Sequence, residues 1–518
     1  MLPLFHCVKR GSKMKTEKQI SFPAIKVNQW LKEWDKIPFN PKEHKAEPEK
    51  HFYVFSLPAS YLKALSGIRR RSTTGGKLRS DDLGIQRRHD VSRSEEIHEF
   101  IHYGYPWSEL SDVKRKSEEY KDLLKPGWLP TAIVVNILKP NDVRDEANVV
   151  QEDLLEITSK ENSVVVNMPK SFTGKNWNPK ELHPIEVIDG QHRLWAFKDD
   201  KDFDDYDLPV VAFHGLDVSW QAYLFWTINI KPKRINPSLA FDLYPLLRTE
   251  EWLDKSIGHP VYRETRAQEL TEALWSHPDS PWYQRINMLG ESGEKMVTQA
   301  AWIRSLTSTF IKSWEGPGVK IGGLFGAPVT GLTGVLPWTR AQQAAFVIFA
   351  GNSLKSALKN CDETWAKELI GRDRLFKPEP YEVFYNKQSL INTDQGIRGF
   401  LFIANDLCWV KANELKLKSW KSDEKAGATD DKAVKVALNS LKEEPVAEFI
   451  QKIASHLKHY DWRTSSASGL SDDDRLKKAA FRGGGGYKEL RIQLLKHLAL
   501  NNDDVGVAAK TVIRLLGV

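Results

Sequence analysis

The sequence has few cysteines and no long apolar run, and both shortages exclude classes of protein. Only Cys7, Cys361 and Cys408 occur among the 518 residues, far apart and without a CxxC pair. A disulfide framework and a cysteine-based zinc site are therefore not expected, whereas a reducing compartment is. No stretch approaches the roughly 20 apolar residues of a transmembrane helix. The amino-terminal residues do not follow the order of a secretory signal either, so we expect a cytoplasmic protein that does not contact membranes.

The chain also lacks a strong charge of one sign. Lysine and arginine number 75 against 68 aspartate and glutamate residues, which gives a net charge of +7. This mild excess permits contact with nucleic acid without requiring it. The length allows two or three domains with a sizeable core.

The pattern of apolar residues changes along the chain and predicts an α+β protein. Residues 1–50 are polar and rich in lysine, which indicates an N-terminal arm. Residues 51–245 combine a helix at SRSEEIHEFIHY with strand-like runs such as PTAIVVNIL, SVVVNM, IEVI and LPVVAF, and are expected to form an α/β domain with a mixed sheet. Residues 246–518 show apolar residues mostly at helical spacing, so this domain is predicted to be mostly α-helical.

The segment 185–197, IEVIDGQHRLWAF, is the main candidate site. It predicts a strand, a glycine turn and then a helix. His192 and Arg193 would lie in the first turn of that helix, where the macrodipole disfavours cations, and such a conflict suggests that an anion supplies the missing charge. We expect Gly190, His192 and Arg193 to bind phosphate, Asp189 to hold Mg²⁺ or a water, and Gln191 to orient a water or the ligand. The alternative is an ordinary helix cap at Asp189.

Two further segments could complete such a site. Gln86 and Arg87 precede a helix and would form a second wall of the phosphate pocket, or else a surface turn. The segment 227–243, TINIKPKRINPSLAFDL, is predicted to contain a loop with Asn229 and Lys231, which could close over phosphates, and with Lys233 and Arg234, which could contact a DNA backbone. The alternative for this loop is ordinary helix-end chemistry.

Residues 98–102, HEFIH, match the HExxH pattern of zinc peptidases. On a helix His98 and His102 would share one face and Glu99 could activate a water on the metal. A match of three fixed letters arises by chance in long chains, and the downstream third ligand of such sites is not evident. A zinc metallopeptidase is therefore a remote alternative.

The DGQHR letters followed by an apolar helix resemble the signature of DGQHR-domain proteins. That group includes the DndB family of DNA phosphorothioation systems and the DpdB family of DNA deazaguanine systems. The order of elements, GIQRRHDVSRSEEIHEFI, LPTAIVV, HPIEVIDGQHRLWAF and LPVVAF, is also similar to the ParB/sulfiredoxin superfamily. Sulfiredoxins carry a cysteine where this chain has Gln191, so the resemblance does not extend to sulfinate reduction.

The resemblance implies a component of a prokaryotic DNA-modification or anti-phage defence system. A DpdB-like member would bind and hydrolyse ATP or another NTP with Mg²⁺, and Asp189, Gln191 and His192 would be its catalytic residues. A DndB-like member would instead be a non-enzymatic, DNA-binding transcriptional regulator. Either role implies DNA and a DNA-modification enzyme as partners, and homo-oligomers are possible. Whether the protein is an enzyme is left open at this point.

Overall fold

The computed structural model describes most of the chain, in two compact units. The described residues are 19–68, 90–144, 146–160, 163–198, 206–230, 236–255, 258–291, 297–314, 319–326, 336–371, 382–422, 425–483 and 485–518. The contacts divide the chain into an N-terminal unit, Met1–Lys233, and a C-terminal unit, Arg234–Val518.

The N-terminal unit is built on an eight-stranded mixed sheet with a small hairpin beside it. In the described residues the strands are β1 (Ser21–Asn28), β2 (His51–Pro58), β3 (Ser66–Gly67), β4 (Ile133–Ile137), β5 (Val143–Arg144), β6 (Ala147–Asn148), β7 (Glu156–Lys160), β8 (Ser163–Asn167), β9 (Ile185–Asp189) and β10 (Asp207–His214). The order in the sheet is β3-β9-β4-β10-β2-β1-β8-β7, and β5 pairs with β6 separately. The β3–β9 and β4–β10 pairs are parallel, and the other pairs are antiparallel.

Alternation of buried and exposed residues fixes which face of the sheet meets the core. In β10 the side chains of Leu208, Val210 and Ala212 are buried in turn, as expected for a strand with one face in the core. In β9 the first four residues are all buried, because the strand is covered on both faces.

The helices of the N-terminal unit are few and mostly short. They are α1 (Ala59–Leu65), α2 (Val91–Tyr103), α3 (Asp112–Arg115), α4 (Gln191–Leu194) and α5 (Val218–Ile230). Leu62 and Leu65 of α1 and Leu194 of α4 pack with the sheet residues in one core. Single 3-10 turns occur at Lys32–Lys36, Pro41–Glu43, Trp107–Glu109, Glu118–Leu123 and Gln151–Asp153.

The regular elements in the described residues of the C-terminal unit are all helices, joined by turns and loops. Its helices are α6 (Pro237–Asp242), α7 (Tyr244–Leu247), α8 (Glu250–Asp254), α9 (Pro260–Ser276), α10 (Gln299–Ser308), α11 (Arg340–Lys359), α12 (Thr364–Gly371), α13 (Glu382–Tyr385), α14 (Asp394–Val410), α15 (Asp431–Leu441), α16 (Pro445–Leu457), α17 (Asp472–Ala479), α18 (Gly486–Leu498) and α19 (Asp504–Leu516), with a 3-10 turn at Leu390–Asn392. A single apolar core runs through them, and Trp302 and Phe346 are fully buried in it. The Thr339 and Gln342 side chains form a capping box that begins α11.

These elements confirm the α+β class, with a mixed sheet first and a helical region after it. The similarity of the sheet to the ParB/sulfiredoxin superfamily stays a prediction. Within residues 1–50, which the sequence predicted to be an arm, β1 is an internal strand of the sheet. In the described part of the chain no helix is both long enough and apolar enough to cross a membrane.

Candidate functional site

The DGQHR turn begins at an irregularity in the sheet. Val135 pairs with Val187, but the preceding residue of β4, Val134, pairs with Asp189, so Ile188 is an extra residue in β9. Such β-bulges bend a strand, and they re-aim the side chain that follows. The bulge therefore sets the direction of Asp189 at the end of the strand.

Gly190 follows the bulge in a conformation that disfavours other residues. Its φ is +95°, where a Cβ is strained. A Cβ built on Gly190 would lie 2.7 Å from Ile133 Cδ1 and 2.9 Å from Arg193 Nη2. The missing side chain thus lets the Arg193 guanidinium fold back against the turn, which is a structural reason for glycine at this position.

Arg193, Asp189 and Asn229 come together in a polar group at the end of β9. Arg193 Nη2 donates to Asp189 Oδ2 at 2.8 Å and to the Ala132 carbonyl at 3.2 Å, and Nη1 donates to the Thr131 hydroxyl. Asn229, on α5, donates to Asp189 Oδ1 at 3.2 Å. The side chains of Arg193 and Asp189 are 21% and 19% exposed, so a ligand can reach this pair from solvent.

The predicted conflict between cations and a helix dipole does not arise in this structure. The predicted apolar helix is a single turn, α4, of four residues, and so short a helix has little macrodipole because few peptide dipoles align in it. Asp189 also supplies the charge that balances Arg193. An anion at this turn would therefore bind the partly exposed Arg193 guanidinium, in competition with the Asp189 carboxylate.

Gln191 and His192 are the first two residues of α4, and both are buried. They are 4% and 8% exposed. Gln191 Nε2 and His192 Nε2 are 3.4 Å apart, whereas Gln191 Oε1 has no hydrogen-bond partner among the described residues. The backbone of this turn is held by α2, because the Ser94 hydroxyl donates to the His192 carbonyl at 3.2 Å and His98 Nδ1 lies 3.0 Å from the Ala196 carbonyl oxygen.

A buried charge network next to the turn was not predicted from the sequence. Glu186 of β9 receives Arg144 Nε at 2.7 Å and Nη2 at 3.1 Å, and also Asn136 Nδ2 at 3.2 Å and Gln221 Nε2 at 2.9 Å. All four side chains are at least nine-tenths buried. Burial alone would raise the pKa of Glu186, but the ion pair with Arg144 and the amide hydrogen bonds lower it. Glu186 inside the otherwise apolar run IEVI was the one sequence feature that could have indicated a buried, paired charge.

Glu186 and Asp189 attach the same helix to the same strand at two points. Gln221 near the start of α5 bonds to Glu186, and Asn229 near its end bonds to Asp189. The network therefore sets the position of α5, and with it the position of the Asn229 amide at the exposed site.

Five of the predicted site residues cannot be located by the structure. Gln86, Arg87, Lys231, Lys233 and Arg234 lie outside the described residues. The structure brings together Asp189, Arg193 and Asn229 at the surface, with Gly190, Gln191 and His192 in the turn itself.

A divalent cation could be held here only with help from a ligand. Among the described residues Asp189 is the one carboxylate in contact with Arg193 and Asn229, and the same residues hold no group of three or more His, Cys, Asp or Glu side chains suited to a metal. Mg²⁺ is commonly held by one or two carboxylates together with substrate phosphates. The residues present fit that arrangement, and Asp189 would be the protein ligand.

The HEFIH segment has structural partners in place of a metal. It lies on α2, where the rings of His98 and His102 are 4.8 Å apart at an angle of 78°. Glu99 forms an ion pair with Arg115 at 2.5 Å, and Arg115 also donates to the Ser108 carbonyl. Glu99 thus pairs with the residues that follow α2, which is a structural role for the HEFIH segment.

These features define a mixed-sheet domain with a solvent-accessible polar site at the end of a bulged strand. Residues 46–247 match the family model of DndB, which is described as DNA-sulfur modification-associated. The match includes the whole DGQHR turn and every strand of the sheet except β1, so this part of the chain is similar to the DndB family. Comparisons with curated proteins and with solved structures give no significant match.

Proposed function

We propose that the N-terminal unit binds a nucleotide by its phosphates at the DGQHR turn, as a component of a DNA-modification system of the phosphorothioate or deazaguanine type. The observation that carries the proposal is the Arg193 guanidinium, which is partly exposed beside Asp189 and Asn229 at the end of β9. Guanidinium groups bind phosphate through paired, charge-assisted hydrogen bonds.

If a phosphate replaced Asp189 as the partner of Arg193, phosphate binding and metal binding would be coupled. The Asp189 carboxylate now accepts from Arg193 as a phosphate oxygen would. A phosphate that takes its place leaves Asp189 free to bind the Mg²⁺ that accompanies ATP or another NTP. Hydrolysis in this scheme depends on Asp189 acting through the metal or a water. Gln191 and His192 are buried, so their part is to hold the turn.

The DNA-binding regulator is kept as the alternative within the same family. It depends on the basic loop with Lys233 and Arg234, which lies outside the described residues. The similarity to DndB also supports a DNA-modification enzyme as a partner of this protein.

The variant Arg193→Gln tests the proposal. Hydrogen bonds to a charged group contribute about 1.5–3 kcal/mol, so the variant is expected to weaken binding of ATP with Mg²⁺ by about 10- to 100-fold. The measurement is calorimetric titration of the whole chain with ATP, CTP and GTP, together with an assay of phosphate release. Arg304→Gln, at an exposed position of α10, is the matched control and should bind as the wild type does.

Equal nucleotide affinity in the wild type and Arg193→Gln would overturn the assignment of the site. Binding without any phosphate release from the wild type would remove hydrolysis and leave a nucleotide sensor. Asp189→Asn then distinguishes metal binding by Asp189 from phosphate binding by Arg193. It should reduce nucleotide binding in the presence of Mg²⁺ more than nucleotide binding without metal.

A further inference from the structure

A polar groove lies between α11, α15 and α16 of the C-terminal unit. We call it the lysine groove, because Lys435, Lys442 and Lys458 line it together with amide and hydroxyl side chains. Its volume is about 780 Å³, within the roughly 300–1,000 Å³ of small-molecule sites. One carboxylate residue, Asp279, is found in the lining.

The three lysines carry charge that the described residues do not balance. No carboxylate among those residues lies within 4 Å of their ammonium groups, and the polar contact of Lys442 is with Asn439 Oδ1 at 3.2 Å. Lys452, on α16 but not in the groove, is paired in contrast with Glu448 at 3.0 Å and Asp504 at 3.6 Å. Like charges in a concave surface raise the local concentration of anions.

Helix-end chemistry explains only part of this arrangement. Lys442 and Lys458 are the C-caps of α15 and α16, where cations are favoured by the macrodipole. Lys435 lies inside α15 and has no such role. The Gln451 and Ser455 side chains, which lie inside α16, also line the groove and add hydrogen-bonding groups away from any helix end. The groove thus combines charge, donors and volume.

We propose that the lysine groove binds a phosphate-bearing ligand, either a free nucleotide or the phosphodiester backbone of DNA. Lysine binds phosphate as a point charge, and the amides and hydroxyls can donate to phosphate oxygens or sugar hydroxyls. The proposal is independent of nucleotide binding at the DGQHR turn, because the groove lies in the other unit.

The test uses the whole chain with Lys435→Gln, Lys442→Gln and Lys458→Gln combined. Glutamine keeps the helix propensity close to that of lysine, and circular dichroism checks the fold. The matched control combines Lys477→Gln, Lys496→Gln and Lys510→Gln. These three lysines are exposed, lie on helices and do not line the groove, so their substitution removes the same charge elsewhere on the unit. The probes are ATP, inorganic phosphate and a short DNA duplex, each titrated at several salt concentrations.

The groove variant is expected to bind one probe at least 10-fold more weakly than either the wild type or the control. If DNA is the ligand, the slope of log K against log salt falls by about 2–3, because each phosphate contact contributes about 0.9. If a free nucleotide is the ligand, ATP binding falls and DNA binding does not. Unchanged affinity for all three probes, or equal losses in the control, would overturn the proposal. Arg193→Gln, measured in parallel, reports on the DGQHR site separately.

Discussion

Gly190 shows how one missing side chain organises the whole turn. Its positive φ turns the chain out of β9, and the space where a Cβ would stand is bounded by Ile133 and the Arg193 guanidinium. Because Ile133 is fully buried, it cannot move aside without disturbing the core. The glycine is therefore required both by the backbone and by packing.

Gly190→Ala is expected to destabilise the N-terminal unit and to weaken ligand binding together. Strained backbone costs about 1–3 kcal/mol, and overpacking against Ile133 adds about 1–3 kcal/mol. The matched control is Gly174→Ala, because Gly174 also has a positive φ, +109°, but nothing within 4 Å of its added Cβ. The measurement is chemical denaturation of both variants, with ATP titration of each.

The difference between the two alanine variants isolates the packing contribution. Equal losses of unfolding free energy in both would mean that backbone strain alone explains Gly190. Preserved ATP affinity in Gly190→Ala would show that Arg193 need not fold back against the turn.

At the scale of elements, β1 connects two parts of the sheet. Its first half pairs with β8 from Ser21 to Ala24, and its second half pairs with β2 from Ile25 to Asn28. The β7–β8 hairpin reaches the rest of the sheet through this strand. A polar terminal segment thus has a structural part in the N-terminal unit.

A chain that begins at Gln29 is expected to lose the cooperative unfolding of the N-terminal unit. Without β1, the edges of β2 and β8 lose their hydrogen-bond partners and become open to aggregation. A chain that begins at Gln19 keeps β1 and the bond from Gln19 Nε2 to the Met168 carbonyl, and it serves as control. Thermal unfolding followed by circular dichroism distinguishes them, and identical transitions would contradict this view of β1.

The elements differ in how well local sequence predicts them. The β-branched runs now in β4, β8, β9 and β10 are predicted correctly, because each is apolar enough to form a buried strand. β1 is missed because SFPAIKVN contains Pro23 and alternates exposed positions in a segment rich in lysine. The apolar residues after Arg193 suggested a longer helix than α4, but they pack into the sheet core instead.

The candidate site was predicted only where its residues are neighbours in the sequence. Asp189, Gly190 and Arg193 are neighbours in sequence, so their turn could be recognised from the letters alone. Asn229 was expected in a loop near the site. In the structure it lies on α5 and contacts Asp189, which is 40 residues earlier in the sequence. Arg144 and Glu186 are 42 residues apart, and nothing local indicates that they pair.

At the scale of the whole molecule, each unit has its own apolar core. The residues that pack around Trp302 and Phe346 all belong to the C-terminal unit, and those around the sheet all belong to the N-terminal unit. A unit that buries its own core can in principle fold alone.

A chain of residues 234–518 alone is expected to fold as a helical protein. It should show a cooperative thermal transition by circular dichroism and lack the nucleotide binding assigned to the DGQHR turn. The complementary fragment, residues 1–233, should keep that nucleotide binding. A non-cooperative transition in residues 234–518 would show that the helical core depends on the N-terminal unit.

The Arg144–Glu186 pair also limits how this domain can change over evolutionary time. Removing one partner of a buried ion pair leaves an uncompensated charge, at a cost of about 3–5 kcal/mol, while replacing both by apolar residues can be neutral. A lineage that loses Arg144 therefore carries an unstable intermediate until Glu186 changes as well. The two positions behave as one inherited character, although they are 42 residues apart in the sequence.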